Sequence, residues 1–474
     1  MSSLNISGQL RMTSDRRDFL KTVGVGTAAL AAPRFVGAAS PARPTIYRVH
    51  HVPAPDYAFS NRHPGVDSLL YLLAFDGVAF YASDSGHPLA APDGLIGRDD
   101  VVLIKVNAQW KYRGSTNTDV VRGVIQRILE HPDGFAGEVV IVENGQGRGS
   151  LNCDTTAGCD GGTREVQANA ENVSHSFSYL VRTVFNDPRV SEKLLDDYRS
   201  TYIAANDHQT QGYRTVGRVS YPCFNTTGGR RVEMREGLWT GAGHDSTRLK
   251  WINVPTMKDH KDLNVTGCLK HTFGLITTWM EPLEHHDPTQ GGQAMGEFLT
   301  LVRQPVLNLL DHIWCAHASL CGFPPDTTTR VNMLCAGFDP VAMDAWSARH
   351  ILMPISGDPA HDPDIPGFFR TYLENACNTI NANGGLHGSE VTFDAALTTA
   401  RHLDQREIVM GVQRLGPDLK VTWAGGTPPY RLERSASATF TAPQLVADGL
   451  MVADFVDAGA GADGNTWFYR VLGL

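Results

Sequence analysis

None of the eight cysteines stands in a C-x-x-C pair. That removes the usual zinc-ribbon, ferredoxin-type iron–sulfur and thioredoxin-like spacings. No apolar run reaches the roughly 20 residues that a membrane span needs, so no transmembrane span is expected in the mature chain. Neither H-E-x-x-H nor G-x-S-x-G occurs, which leaves a zincin helix and an α/β-hydrolase serine without support. Positive charge is also short. The net charge is −9, and the first 39 residues hold five bases (Arg11, Arg16, Arg17, Lys21, Arg34) against Asp15 and Asp18, so the remainder is more acidic still. Nucleic acid and anionic lipid need a cationic footprint, so neither is expected as the main partner.

What is present begins with an address. Ser14-Asp15-Arg16-Arg17-Asp18-Phe19-Leu20-Lys21 fits a twin-arginine pattern, residues 22–32 form a mildly apolar Ala/Gly stretch, and Val36-Gly37-Ala38 offers small residues for cleavage. Residues 1–39 therefore read as a Tat signal peptide. The expected partner during export is the Tat translocase, which moves proteins already folded, and the expected location is periplasmic or secreted. An oxidising compartment permits disulfides. Cys153/Cys159 and Cys315/Cys321 are local candidates, and Cys335, in an apolar run, reads as a buried free thiol.

The body, residues 45–412, alternates apolar runs with helical spacing. Residues 101–106 read as a buried strand, 119–129 as a helix and 138–142 as a second strand, together a βαβ unit. Further helices are expected over 168–185, 190–198, 296–302 and 368–382. Strands are expected over 249–254, 306–310 and 331–336, with a hairpin around Asn225–Gly229. Asp339-Pro340 has the form of a helix cap followed by proline at the first helical position. The expected class is α/β, a mostly parallel sheet with flanking helices. Residues 417–474 change to short strand candidates separated by Gly, Pro and Asp, a small all-β appendage.

Four segments then fall in order: Val101–Asn107; Asn253-Val254-Pro255-Thr256-Met257-Lys258-Asp259-His260; Val265-Thr266-Gly267-Cys268-Leu269-Lys270-His271-Thr272-Phe273-Gly274; and Ala336-Gly337-Phe338-Asp339-Pro340-Val341-Ala342-Met343-Asp344. Together they resemble the family called domain of unknown function 362, over roughly residues 45–400. That family is similar in its I-K-x-N strand end, P-x-x-K-x-H turn, T-G-x-x-K-N-x-x-G segment and G-x-D-P-V-A-x-D helix start. This chain has His271 where relatives commonly have Asn, and it lacks the ferredoxin-like cysteine run many relatives carry. The resemblance carries no agreed activity.

In open α/β sheets, ligands sit beyond the carboxyl ends of the strands. Lys105 and Asn107, Glu143 and Asn144, Lys258 and His260, and Asp311 fall at such ends, with Lys270 on the third motif. Lys105, Lys258 and Lys270 are expected to hold an anionic group, with Asn107, Glu143 and Asp339 among the ligand-binding residues. His260 is expected to serve as acid or base, oriented by Asp311, with Lys258 beside it. The alternatives are a structural ion pair for Lys105, a plain helix cap for Asp339 and a turn-stabilising role for Asp311. The loop Glu143–Gly149 is glycine-rich but lacks G-x-G-x-x-G spacing. His285-His286-Asp287, Asp207-His208 and His244-Asp245 are candidate metal ligands. A metal is compatible with these residues, and the cofactor is not specified. One reading is an exported cofactor- or metal-dependent enzyme acting on a small anionic substrate. The other is a non-catalytic periplasmic binding or scaffolding protein that docks through the β appendage.

Overall fold

Strand β2 (Val101–Val106) and strand β3 (Glu138–Glu143) are buried along their whole lengths. They run parallel, from Val101↔Glu138 to Lys105↔Val142. Both faces of the sheet are covered, which is why these strands read as unbroken apolar runs instead of alternating ones. Helix α2 (Thr118–Leu129) links them, capped by Asn117, whose side chain accepts the Val120 amide at 3.1 Å. Its Val120, Val121, Val124, Ile125 and Ile128 are all buried.

The remaining strands of the ten-stranded sheet are β1 (Thr45–His50), β4 (Val190–Leu194), β5 (Leu249–Val254), β6 (Thr256–His260), β7 (Asn264–Thr266), β8 (Leu307–Ala316), β9 (Thr328–Gly337) and β10 (Thr399–Asp404). The order is β10-β1-β9-β8-β5-β2-β3-β4. The run from β8 to β4 is parallel, as is β1 with β10, while β9 lies antiparallel to both β1 and β8. The sheet is thus mixed and mostly parallel. Side chains alternate across it. Val101, Leu103 and Trp251 face one apolar layer, and Val102, Ile104 and Ile252 face the other. The structure is a computed structural model. It describes residues 44–58, 60–144, 150–156, 162–195, 212–276, 286–406, 408–426, 428–438, 440 and 442–473. The twin-arginine segment, Cys159, Asp207, His208, His285 and the glycines of the 145–149 loop lie outside them.

Several expectations are corrected. Residues 190–194 form strand β4, paired parallel to β3 from Val139↔Val190 to Glu143↔Leu194. Edge pairing overrode a helical reading of a segment too short to fix its own period. The helix expected over 168–185 begins only at Phe177, behind the Ser176 cap. Upstream, Asn169 is fully buried and donates to the Ser115 carbonyl, a tie that an early helix start would forbid. Neither local disulfide forms. Cys153 and Cys315 are free and buried, and Cys321 is disulfide-bonded. Cys335 is a buried free thiol, as expected.

The C-terminal segment holds two three-stranded antiparallel sheets. One comprises Val409–Leu415, Asp418–Ala424 and Asp454–Asp457, and the other Tyr430–Ser435, Gln444–Leu450 and Phe468–Gly473. They share a small core of Val421, Trp423, Tyr430, Leu432 and Val471. This core meets helix α1 (Pro64–Phe75), where the Gly425 amide donates to Ser68 Oγ at 3.2 Å.

Candidate functional site

The site is built where β5 gives out. Pro255 follows its last pair with β2, and the chain continues as β6, which stays beside β8 with a shift of register (Thr256↔Asp311, Lys258↔Ala316). β6 then turns back on β7, setting Lys258 opposite Thr266 and His260 opposite Asn264. Helix α3 (Cys268–His271) follows at once. Its first amides, Cys268 N and Leu269 N, donate to the Asp344 carboxylate at 2.5 and 3.0 Å. Asp344 belongs to helix α5 (Pro340–Ser347). Gly267 presses so closely on Asp344 that a Cβ there would fall within 3.0 Å of both carboxylate oxygens. The four motif segments are therefore physically joined. Asn107 closes the ring, its side-chain oxygen accepting the Thr256 amide at 3.1 Å.

Within this frame Lys105 is 1 % exposed, and its Nζ meets Glu143 Oε1 at 2.9 Å and donates to the Val106 carbonyl at 2.7 Å. Burial lowers its pKa, and Glu143 works against that shift. Glu143 also accepts the amides of Ala108 and Asn144 at 3.0 and 2.7 Å. Asn144 in turn donates to the Ile276 carbonyl. Lys258 is buried and donates to the Gly114 carbonyl. Burial pulls its amine down to about 7. Glu143 opposes this, while Lys270 and Lys105 add to it. Lys270 is half-buried and pulled down to about 8 by burial, against the field of Asp262. Its ammonium lies 5.8 Å from the Phe273 ring, and no described residue accepts a hydrogen bond from it. Two buried hydroxyls of the same walls, on Thr256 and Thr266, also lack partners among the described residues.

His260 continues the line. Its Nδ1 accepts the amides of Asp262 and Leu263 at 3.2 and 3.3 Å, which leaves the neutral ring's proton on Nε2. Its ring stands 5.3 Å from that of His286. Burial pushes His286 down to about 4, with Lys270 adding to the shift, so it is neutral at pH 7. Ligand atoms of His260, Asp262 and His286 lie within 4.8 Å of one another, a set able to surround a cation. The amides on His260 Nδ1 oppose it, because metal-bound histidines usually donate from the second nitrogen.

Four expected residues stand elsewhere. Asp311 does not orient His260: its oxygens accept the amides of Asn117 and Ile313, both at 2.8 Å, and burial raises it to about 7. It ties β8 to the start of α2. Asp339 is a cap, accepting from Val341, Ala342 and Thr392. Asp287 caps helix α4 (Pro288–Glu297). His244 faces Glu233 at 3.2 Å, away from the lysines.

Sequence reasoning passed over Asn253 and gave His271 no role. His271 Nδ1 lies 2.7 Å from Asn253 Oδ1, and burial, with Lys105 and Lys258 adding, holds the ring well below its usual pKa. Its departure from the family pattern was the available signal. Among the described residues no helix is long and apolar enough to cross a membrane. No curated protein and no solved structure matches the chain. One family model does match, that described as Domain of unknown function (DUF362), over residues 248–349, the stretch that carries β5, β6, β7, α3, β8, β9 and α5.

Proposed function

We propose that this is an exported protein that acts on a small anionic substrate at the strand-end rim. The observation that carries the reading is the excess of enclosed cations. Glu143 satisfies Lys105, but Lys258 reaches only a carbonyl and Lys270 reaches no acceptor among the described residues. A carboxylate or phosphate entering between them would supply the missing counter-charge. Lys258, with a pKa of about 7, exchanges its proton at neutral pH, so the rim has both a binding and a proton-transfer capacity. Export is supported by the Arg16-Arg17 segment and by the disulfide at Cys321, which an oxidising compartment maintains.

The test is retention of ligand after purification through the native export route, followed by mass spectrometry of denatured wild type, Lys258→Ala and His260→Ala. The reading expects a small anion in the wild type and loss of it from both folded variants. Equal retention in all three rejects it.

A second reading, a binding or scaffolding protein, draws on the exposed apolar side chains of the C-terminal sheets, among them Val412, Leu445 and Val456. Val412→Ser with Leu445→Ser would then abolish co-purification of a partner without touching the rim.

A further inference from the structure

We propose that Ser356, His361 and Asp259 form a second reactive site, a nucleophilic triad that cleaves small uncharged carboxylic esters. The helical run begun by α5 continues to Ser356, and the left-handed Gly357 (φ +68°) ends it. The chain then turns through the short 3-10 helix Pro359–His361, which brings His361 back beside the serine. Ser356 Oγ lies 2.7 Å from His361 Nδ1, and His361 Nε2 lies 3.0 Å from Asp259 Oδ1. Asp259 comes from β6, on the face opposite to Lys258 and His260, because successive side chains of a strand alternate. The lysine rim and this triad therefore share one strand and no side chain.

The hydrogen-bond roles are set from the carboxylate end. Asp259 as a carboxylate only accepts, so Nε2 carries the ring proton, and Nδ1 of the neutral ring is left as an acceptor. The serine hydroxyl gives its proton to that nitrogen. Its oxygen accepts the Asp358 amide at 3.1 Å, and the other acceptor in reach of the hydroxyl, the Met353 carbonyl, is farther off at 3.4 Å. The order of donation is thus Ser356 to His361 to Asp259, that of a nucleophile, its base and the group that orients the base. The two ring nitrogens have exchanged places relative to the serine-protease arrangement, with no change of roles. Ser356 lies outside any G-x-S-x-G, but such constellations are recognised by geometry, not by sequence position. Once protonated, the ring is stabilised by Asp259 and by the negative end of the helical run that stops at Ser356.

Ser356 is part-exposed and the residues from Gly357 to Ala360 are exposed, while His361 is buried. The hydroxyl is therefore approached from solvent, and its base is shielded. Charge selects against an anionic ester. Asp364 of the same loop is held by Arg349 at 2.6 Å, but Asp358 and Asp362 accept only backbone amides, from Ala360 and Asp364. The surplus is negative, the reverse of the lysine rim. In the reaction Ser356 Oγ attacks the ester carbonyl carbon as its proton passes to His361 Nδ1. The carbonyl C–O single bond then breaks, and the alcohol leaves with that proton. A water molecule, deprotonated by the same nitrogen, releases the carboxylic acid and restores the serine.

The experiment treats the full chain with diisopropyl fluorophosphate and, separately, with p-nitrophenyl acetate, and locates any adduct by peptide mass spectrometry. The expected results are a diisopropylphosphoryl group on Ser356, with loss of fluoride, and release of p-nitrophenolate with turnover, both abolished in Ser356→Ala. His361→Gln should slow both by about 10²–10⁴-fold, the contribution of a general base. Asp259→Asn keeps serine and histidine and alters a part-exposed side chain, so it decides the matter should His361→Gln not fold. It should slow labelling and lower kcat with KM little changed, the split expected of a group that touches the base and not the ester. Neither probe is an anion, so the result stands apart from the fate of the rim. No adduct on Ser356, acetylation of lysines alone, or equal labelling rates in wild type and Asp259→Asn each overturns the assignment.

Discussion

Gly274 covers Lys105 so tightly that a Cβ on the glycine would fall within 3.0 Å of the lysine's Cε and of the Glu143 oxygen that pairs with it. The last glycine of the third motif is therefore a lid on the ion pair formed by the first. Gly274→Ala must push that pair apart. It is expected to cost about 1–3 kcal/mol, the range for overpacking a close-packed site, and to weaken anion binding as well. Urea unfolding with a parallel binding assay measures both.

The Lys105–Glu143 pair is enclosed, so breaking it from one side leaves a bare charge inside. Lys105→Met or Glu143→Gln alone should each destabilise by about 3–5 kcal/mol. The double variant should lose clearly less than the sum, because neither charge is stranded. Denaturant midpoints of the four proteins complete the cycle.

Stability and affinity should slope in opposite directions with pH. Lys258 titrates at about 7 in the folded chain, against 10.5 ordinarily. Between those values the folded state binds fewer protons than the unfolded one, so this group makes the free protein more stable as pH rises through that window. Its cost is fully present below pH 7. Lys270 acts likewise from about 8. An anion needs both amines protonated, so its affinity should fall over the same range, with proton uptake on binding. Calorimetry in buffers of different ionisation enthalpy reads the uptake directly.

Asp311 and His260 should separate cleanly. Asp311→Asn disturbs the amides of Asn117 and Ile313 and should lower stability with little change in anion affinity. His260→Gln, half-buried and at the rim, should do the reverse.

Alkylation in denaturant without reductant should label Cys153, Cys223, Cys268, Cys315, Cys335 and Cys377, the free thiols, and leave Cys321 unmodified until reduction. Peptide mass spectrometry decides this.

Much of this was legible because local signals and tertiary demands agreed. The runs at 101–106 and 138–142 read as strands covered on both faces, and Asp339-Pro340 as the opening of a helix. Lys105 inside an apolar strand announced a partner, but that Glu143 fills the role came from the structure. Other features depended on contacts that no spacing encodes. Strand β4 exists because an edge of β3 was open to it. Asp311 and His260 were both expected at strand ends, but β8 runs on past Asp311 to Ala316, and β6 carries His260 on towards His286 while Asp311 stays beneath the start of α2. The true seats of Gly267 and Gly274, against Asp344 and Lys105, join residues far apart in the chain.

The most direct test of the rim is the thermal unfolding of the free protein with and without phosphate, sulfate, lactate and malonate, for wild type and Lys270→Met. A ligand that binds only the folded state raises the midpoint by mass action. The account predicts that at least one of these anions raises the wild-type midpoint and leaves that of Lys270→Met unmoved. Equal shifts in both proteins, or none in the wild type, would contradict it.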